Sequence, residues 1–337
     1  MKRLLLVLLI LALAGAAVFY YMQSRRQAPP NTALPELFSL LPPDATAVAY
    51  VDCASLRASP FVRRFLEIFP APTEDRAYAE FVRATGFDYG RDLDRVAIAI
   101  RGNPPPASFQ GTFAVAEGRF DRQRITAYLL HNGKRVAQPA GAEAYEIPSS
   151  DPKKPPIVVT FLSESRIAVN DGYLLGGAAN PAANSFSPAT QQRISRVGGS
   201  ALFAVAQVPA DKKGLPGGGL LGDQLSNVRW LTLAAQPQGA AVFVAFEAEC
   251  DSATNAISLS WTLEGFRTLG RVALSDPKSR QGMDAATADL LDTIVRDGRV
   301  TRTENNVRLS FSLGPRWLEK LAKSVSPAPP KPAVPGR

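Results

Sequence analysis

Three glutamates on two predicted strands are the best candidates for acid–base chemistry in this chain. Glu247 and Glu249 lie two residues apart, so on a strand their side chains share one face, and Glu117 matches Glu247 in an earlier strand. Paired carboxylates can transfer protons or bind a hard cation. The alternation of residues 242–250 also fits a strand with a core face and an outer face, whose glutamates are solvated at the strand end. The pattern therefore supplies carboxylates without defining a catalytic site.

A second acidic cluster stands before another predicted strand and contains Asp88, Asp92 and Asp94. Oxygen-rich clusters bind calcium when their spacing follows the EF-hand loop, with its glycine and terminal glutamate. This cluster lacks that spacing, and Arg91 and Arg95 are interleaved with the acids. We expect local ion pairs here and predict no metal site.

The single histidine, His131, excludes every metal site or mechanism that needs two histidines. It precedes Asn132 and Gly133 at the expected end of a helix, where a basic side chain meets the negative end of the helix dipole and glycine forms the cap. Nucleophilic hydrolysis is also unsupported, because no G-x-S-x-G motif occurs.

A glycine-rich stretch, Gly217–Gly222, formally satisfies the G-x-G-x-x-G pattern of dinucleotide sites. Such a site needs the glycines to open a helix and an acidic residue about 20 positions later. Here the next predicted element is a strand at Val228, and no acid lies between Asp223 and Glu247. We therefore expect a flexible loop over residues 212–222 and predict no cofactor.

Most of the net positive charge of the chain lies at its two ends. The 337 residues include 38 lysines and arginines against 30 acids, but residues 1–26 and 326–337 hold six of the bases and no acid. The body, residues 27–325, is therefore close to neutral at +2. Nucleic-acid binding needs a clustered row of cations, so none is predicted. Hydrophobic residues make up 46% of the chain, which excludes a wholly disordered protein.

An uncharged apolar run from Leu4 to Tyr21 follows Lys2 and Arg3 and is long enough to span about 27 Å as a helix. We predict an N-terminal signal anchor over residues 1–26, with the helix at about 4–22. A cleaved signal peptide is the alternative, because residues 12–14 form an A-x-A site. The basic residues before the run favour a cytoplasmic N-terminus. The expected location is the bacterial inner membrane, single-pass, with the body in the periplasm.

Beyond the anchor, the sequence predicts a Pro-rich spacer at 27–43, a first α+β unit at 44–183, a second at 184–325 and a disordered Pro-rich tail at 326–337. The predicted fold class is α+β, with mostly antiparallel sheet and packed helices in two tandem units. The units resemble degenerate repeats, since G-x-x-L-x-x-V occurs at Gly90 and Gly222, and F-x-x-x-E-x-x-x-D at Phe113 and Phe243. Asp121, which ends the first copy of the second motif, is the expected N-cap of a helix.

A string of short motifs runs through the first unit: LPPD at 41–44, YVD at 50–52, DLDRV at 92–96 and EGRFD at 117–121. In this order the chain resembles a group of bacterial signal-anchored envelope proteins of unknown function. The resemblance implies an envelope location and a duplicated α+β body. It implies no activity, because none is attached to the group, and so it carries over no catalytic residue.

The two cysteines, Cys53 and Cys250, are candidates for a disulfide, because the space outside the cytoplasm is oxidising. Each is expected where a strand gives way to a helix. Two separate buried thiols are the alternative, since sequence does not place the Cα atoms within the roughly 7 Å that a bond requires.

These observations predict a membrane-anchored, envelope-facing binding or scaffold protein, without an assigned catalytic residue. Two alternatives stay open: an envelope hydrolase that uses carboxylates, and a module that binds lipid or another hydrophobe. The first requires carboxylates that face each other in a pocket. The second requires an apolar cavity between sheet and helices. Expected partners are the membrane, through the N-terminal helix, and an envelope protein or lipid.

Overall fold

The computed structural model describes residues 36–68, 76–102, 111–137, 142–149, 155–171, 186–208, 226–276, 283 and 285–325. Its strands are β1 (Ala47–Asp52), β2 (Leu93–Ile100), β3 (Thr112–Gly118), β4 (Lys134–Val136), β5 (Glu143–Ile147), β6 (Ile157–Ser163), β7 (Arg166–Asn170), β8 (Leu202–Gln207), β9 (Val228–Gln238), β10 (Ala241–Cys250), β11 (Arg299–Thr303) and β12 (Asn306–Leu313). Its α-helices are α1 (Cys53–Ala58), α2 (Pro60–Ile68), α3 (Arg76–Thr85), α4 (Tyr89–Asp92), α5 (Arg122–Asn132), α6 (Pro188–Val197), α7 (Ala253–Ser275), α8 (Ala285–Asp297) and α9 (Pro315–Val325).

The twelve strands form one sheet in the order β11-β12-β10-β9-β8-β1-β2-β3-β7-β6-β5-β4, and each pairing between neighbours is antiparallel. The predicted α+β class with a mostly antiparallel sheet is therefore confirmed. The sheet runs without a break across the predicted boundary near residue 184, because β1 and β8 pair along their length, with Tyr50 opposite Phe203.

The first five strands counted outward from the β1–β8 seam follow the same order on both sides, and the first half adds β5 and β4 beyond them. On one side β2 and β3 follow β1, α5 crosses over, and the later hairpin β6–β7 returns so that β7 pairs with β3. On the other side β9 and β10 follow β8, α7 and α8 cross over, and the hairpin β11–β12 returns so that β12 pairs with β10.

Short polar side chains start the helices that leave the strands and turns. Asp52, Asp121, Ser187 and Ser252 each accept a hydrogen bond from the backbone N–H three residues later, which satisfies a donor that the first helical turn leaves free. The predicted N-cap at Asp121 is thus confirmed. The helix that it starts ends at Asn132, as the following glycine predicted.

Apolar clusters cover parts of both faces of the sheet. On one face Phe38 stacks on Phe203, with ring centroids 5.6 Å apart, and Phe203 stacks on Tyr50 at 5.5 Å. Phe38 belongs to a short 3-10 helix (Glu36–Leu40), in which Leu37 and Phe38 are 1% exposed. Leu37, Phe38 and Leu41, which the sequence assigned to the spacer at 27–43, therefore belong to the core instead.

Helices cover the opposite face at its two ends. In the first half, Ile125 and Leu129 of α5 pack on Tyr145 and Phe161 of the sheet. In the second half, α7 packs on β10 and β12, α8 packs on β12, and α9 packs on α8. Trp317 of α9 stacks on Phe61 of α2, with ring centroids 6.3 Å apart. None of the helices described is both long and apolar enough to cross a membrane. The predicted anchor at 4–22, the loop at 212–222 and the tail at 326–337 lie outside the described residues.

Candidate functional site

Two of the three candidate glutamates, Glu247 and Glu249, lie on one face of β10, as predicted, and arginines surround them. Glu247 accepts from Arg308 at 2.8 Å and from Arg196 at 3.2 Å. Glu249 pairs with Arg193, whose guanidinium also lies 4.3 Å from the ring centre of Trp230. Side chains of α6 and β12 thus neutralise both carboxylates. The geometry that a carboxylate hydrolase requires, two carboxylates facing each other in a pocket, is not formed here.

Glu117 has the equivalent arrangement in the first half of the sheet. It lies opposite Arg166 of β7 in the strand register, just as Glu247 lies opposite Arg308 of β12. Arg166 reaches Glu117 at 2.9 Å, and Arg95 reaches it from β2 at 3.1 Å. A cross-strand ion pair is thus built at the same place in each half.

The acidic cluster near β2 is also an ion-pair network. Asp92 is bound by Arg91 at 2.6 Å and lies 3.5 Å from Arg119. The hydrogen bonds from Arg91 lower the pKa of Asp92 to about 2. Asp94 pairs with Arg57 at 2.8 Å, and Asp88 caps α4 through a bond from a glycine N–H. The expected local pairing is therefore present, and within the described residues no group of histidine, cysteine and acidic side chains could hold a metal ion.

The two cysteines are free thiols, which agrees with the alternative of two separate thiols. Cys53 directly follows β1, while Cys250 ends β10, and β8 and β9 lie between those strands. Three strand spacings separate positions by roughly 14 Å, well beyond the reach of a disulfide. In addition, β1 and β10 run in opposite directions, so the two residues, each at the C-terminal end of its strand, lie at opposite edges of the sheet. Burial raises the pKa of each thiol to about 11.

The single histidine lies in the last turn of α5 and is exposed. This is the surface position next to the helix C-terminus that its neighbours predicted. Within the described residues, the histidine, the two cysteines and the three glutamates do not come together in one site.

An apolar groove, which no sequence motif pointed to, lies between α7, α8 and β12. Its volume is about 350 Å³, near the lower limit of ligand pockets, which measure about 300–1,000 Å³. The side chains that line it are almost all hydrocarbon, and they include Leu263, Phe266, Leu274, Leu291, Ile294 and Leu309.

A glycine allows α7 to approach α8 closely beside this groove. A Cβ atom at Gly270 would press against a methyl group of Val295, so the close approach of α7 to α8 depends on the missing side chain. Beside it, Arg267 lines both the groove and an adjoining polar pocket of about 540 Å³, which also contains Arg296 and Arg299. The Arg267 side chain is bound to Glu264 at 2.8 Å. The apolar groove is thus continuous with a charged rim.

Comparison with known proteins gives no identity. No known protein family and no curated protein sequence matches the chain. Three solved crystal forms of TP0453 resemble it, with 9–10% identity, over 87–88% of this chain and 97–99% of theirs. Their TM-scores are 0.48 for form III, 0.45 for form IV and 0.41 for form I. With TM-scores below 0.5, neither fold nor function is taken over from TP0453.

Proposed function

We propose that this chain is a membrane-anchored, envelope-facing binding protein whose ligand is a hydrophobic molecule that fills the groove between α7 and α8. The observation that carries the proposal is the groove itself, because it meets the requirement set by the sequence for a hydrophobe-binding module: an apolar cavity between helices and sheet. An alkyl chain fits such a lining, since it needs no hydrogen-bond partner and gains free energy from leaving water.

The carboxylates support binding over hydrolysis. A general acid or base must reach its substrate through a cleft, whereas Glu117 and Glu247 are occupied by arginines on both sides. Their role in this proposal is to join β3 to β7 and β10 to β12.

The location in the proposal rests on the sequence. The uncharged run at 4–22 is the proposed anchor, and the basic residues before it orient the body to the periplasmic side of the inner membrane. A protein held there has continuous access to lipids, which are the most abundant hydrophobic molecules of an envelope.

The proposed body is a degenerate duplication. Both halves share the order of the five strands nearest the seam, and the Glu–Arg pairs at Glu117 and Glu247 occupy the same register position in each. Only the second half adds a 23-residue helix and places the groove beneath it. In this view the first half retains the structural pairings and the second half has acquired the ligand site.

Photolabelling tests the ligand site in the full chain. Membranes that contain the protein are treated with a diazirine-bearing fatty acid and illuminated, and the labelled peptides are mapped by mass spectrometry. We expect label on Leu291 and Ile294, which line the groove from α8. Ala273→Phe adds a ring at an exposed position on the groove wall and should reduce that labelling several-fold.

The matched control is Ala79→Phe, the same substitution at an exposed position of α3. It should leave labelling at the wild-type level. Equal labelling of all three proteins, or label spread over the surface without enrichment in α8, would overturn the proposed ligand site.

A further inference from the structure

Helix α7 exposes large apolar side chains to an extent that no other described helix does. Trp261 is 74% exposed, and Leu269 and Val272 are each 68% exposed. Phe266, which lines the groove, is 44% exposed on the same helix. Single exposed apolar residues are ordinary on a protein surface, but contiguous ones mark a site of interaction.

The charges of α7 lie along one flank of the helix, where Glu264 and Arg271 are exposed and Arg267 is partly buried. Only Glu264, Arg267 and Arg271 are charged among its 23 residues. At 100° per residue, these three lie within an arc of about 60°. Trp261, Leu269 and Val272 project from a separate arc of about 80°, which begins about 60° from Glu264. The positions within that arc are serine, threonine, glycine or apolar residues, so this part of the outer surface carries no charge.

We propose that this outer face of α7, defined by Trp261, Leu269 and Val272, lies on the surface of the lipid bilayer. A helix with an uncharged face that contains tryptophan and aliphatic residues buries that face about 5–10 Å into the boundary of headgroups and acyl chains. Tryptophan is enriched at that depth, where its ring meets hydrocarbon and its N–H meets polar groups. The helix lies on the bilayer in this proposal and does not cross it, in agreement with its composition.

The length of the chain before the described body favours a bilayer as the partner of the outer face of α7. This inference rests on the proposed anchor at 4–22, which leaves 13 residues between Met22 and Glu36. Such a segment reaches at most about 50 Å when extended, and a sheet of twelve strands is itself about 50 Å wide. The body is therefore held close to the membrane at high effective concentration and can turn α7 towards it.

A second copy of the chain is a poorer partner for this face. The exposed parts of its large side chains amount to roughly 500 Å², on the scale of 150–250 Å² for each aromatic residue. A symmetric dimer through this face alone would bury about twice that area, less than the 1,200–2,000 Å² typical of stable interfaces. Against a bilayer the same face needs no complementary surface.

The position of the groove connects this inference to the proposed ligand. Phe266 and Ala273 line the groove and are also exposed beside the outer face of α7. With α7 on the bilayer, the groove opens next to the acyl chains, and its ligand is a chain taken from the membrane. The polar pocket at Arg267, Arg296 and Arg299 then lies at the level of the headgroups.

Tryptophan quenching by brominated phospholipid tests the contact in the full chain reconstituted in vesicles. The protein has three tryptophans. Trp317 is 3% exposed and Trp230 packs on Arg193, so only Trp261 should be quenched. We expect Trp261→Phe to abolish the quenching, whereas the matched control Trp230→Phe leaves it unchanged. Because Trp261 is exposed, its replacement does not threaten the fold.

The outcomes separate this inference from the proposed ligand site. Protein that floats with vesicles but is not quenched, or quenching that survives Trp261→Phe, would overturn the bilayer contact alone. Tryptophan emission that changes only when the protein is diluted in the bilayer would indicate contact between copies of the chain. That result would also overturn the bilayer contact. A chain that does not float would overturn both the anchor and the contact. Ala273→Phe, which blocks the groove, should leave the quenching unchanged.

Discussion

Replacing Glu247 by glutamine tests whether the most prominent carboxylate of the chain is structural. The side chain is 14% exposed and holds Arg308 at 2.8 Å and Arg196 at 3.2 Å. Burial lowers the pKa of Arg308, and the nearby Glu247 opposes that effect. The substitution keeps the shape of the side chain and removes its charge, so the two arginines lose the carboxylate that compensates their burial.

The magnitude follows from the degree of burial. Breaking a fully buried ion pair by removing one partner costs about 3–5 kcal/mol, whereas a surface pair contributes about 0–1 kcal/mol. Arg308 is 21% exposed and Arg196 is 33% exposed, so solvent screens part of the loss. We therefore expect Glu247→Gln to lower the free energy of unfolding by about 2–3 kcal/mol.

Urea denaturation of the full chain, followed by circular dichroism, measures the effect. The matched control is Glu67→Gln, which removes an exposed partner of Arg64 and should cost less than about 0.5 kcal/mol. A Glu247→Gln variant as stable as the wild type would refute the structural assignment. It would return Glu247 to the list of candidate catalytic groups.

Three further predictions follow from the geometry of single residues. Gly118→Ala should lower the free energy of unfolding by about 1–3 kcal/mol, because its Cβ would collide with the carbonyl of Asp92. Gly265→Ala, in open space on α7, should instead raise the free energy of unfolding by about 0.5–1 kcal/mol. Urea denaturation that finds Gly118→Ala more stable than Gly265→Ala would contradict both predictions. The pKa of Asp92 is lowered to about 2, so its carboxylate stabilises the fold above its unfolded pKa of about 4 and loses that effect as pH falls towards 2. Asp92→Asn should therefore lie closest to wild-type stability at the acid end of a pH series, and a constant gap would contradict this. Cys53 and Cys250 should react slowly with iodoacetamide at pH 7, since burial raises the pKa of both thiols to about 11. Without reductant the denatured chain should show two thiols, and a count of none would contradict the separated positions.

The sequence predicted much of the fold because local patterns determine its elements. Alternating apolar residues marked the strands, and Asp121 marked the start of α5. It did not predict that the halves form one sheet. The β1–β8 seam depends on the stacking of Phe203 on Tyr50 across 153 positions of the chain, and no local pattern records that contact.

The candidate site was missed for a related reason. Glu117 and Glu247 were candidates because carboxylates can transfer protons. The strand register, however, places an arginine from a neighbouring strand opposite each of them. The groove is lined by ordinary apolar residues of α7, α8 and β12, which the sequence shows only as hydrophobic positions. One signal was available: all the charges of residues 253–275 fall on one side of a helix. A helix that carries Trp261 and Leu269 on a separate, uncharged arc indicates a partner.

The measurement that tests the central claim most directly is native mass spectrometry of the full chain purified from its membrane. The proposed function predicts that wild-type protein carries a tightly held adduct with the mass of a fatty acid or phospholipid, and that Ala273→Phe, which fills the groove, carries none. Wild-type protein at its bare mass, or an adduct equally abundant in both proteins, would contradict a ligand site between α7 and α8.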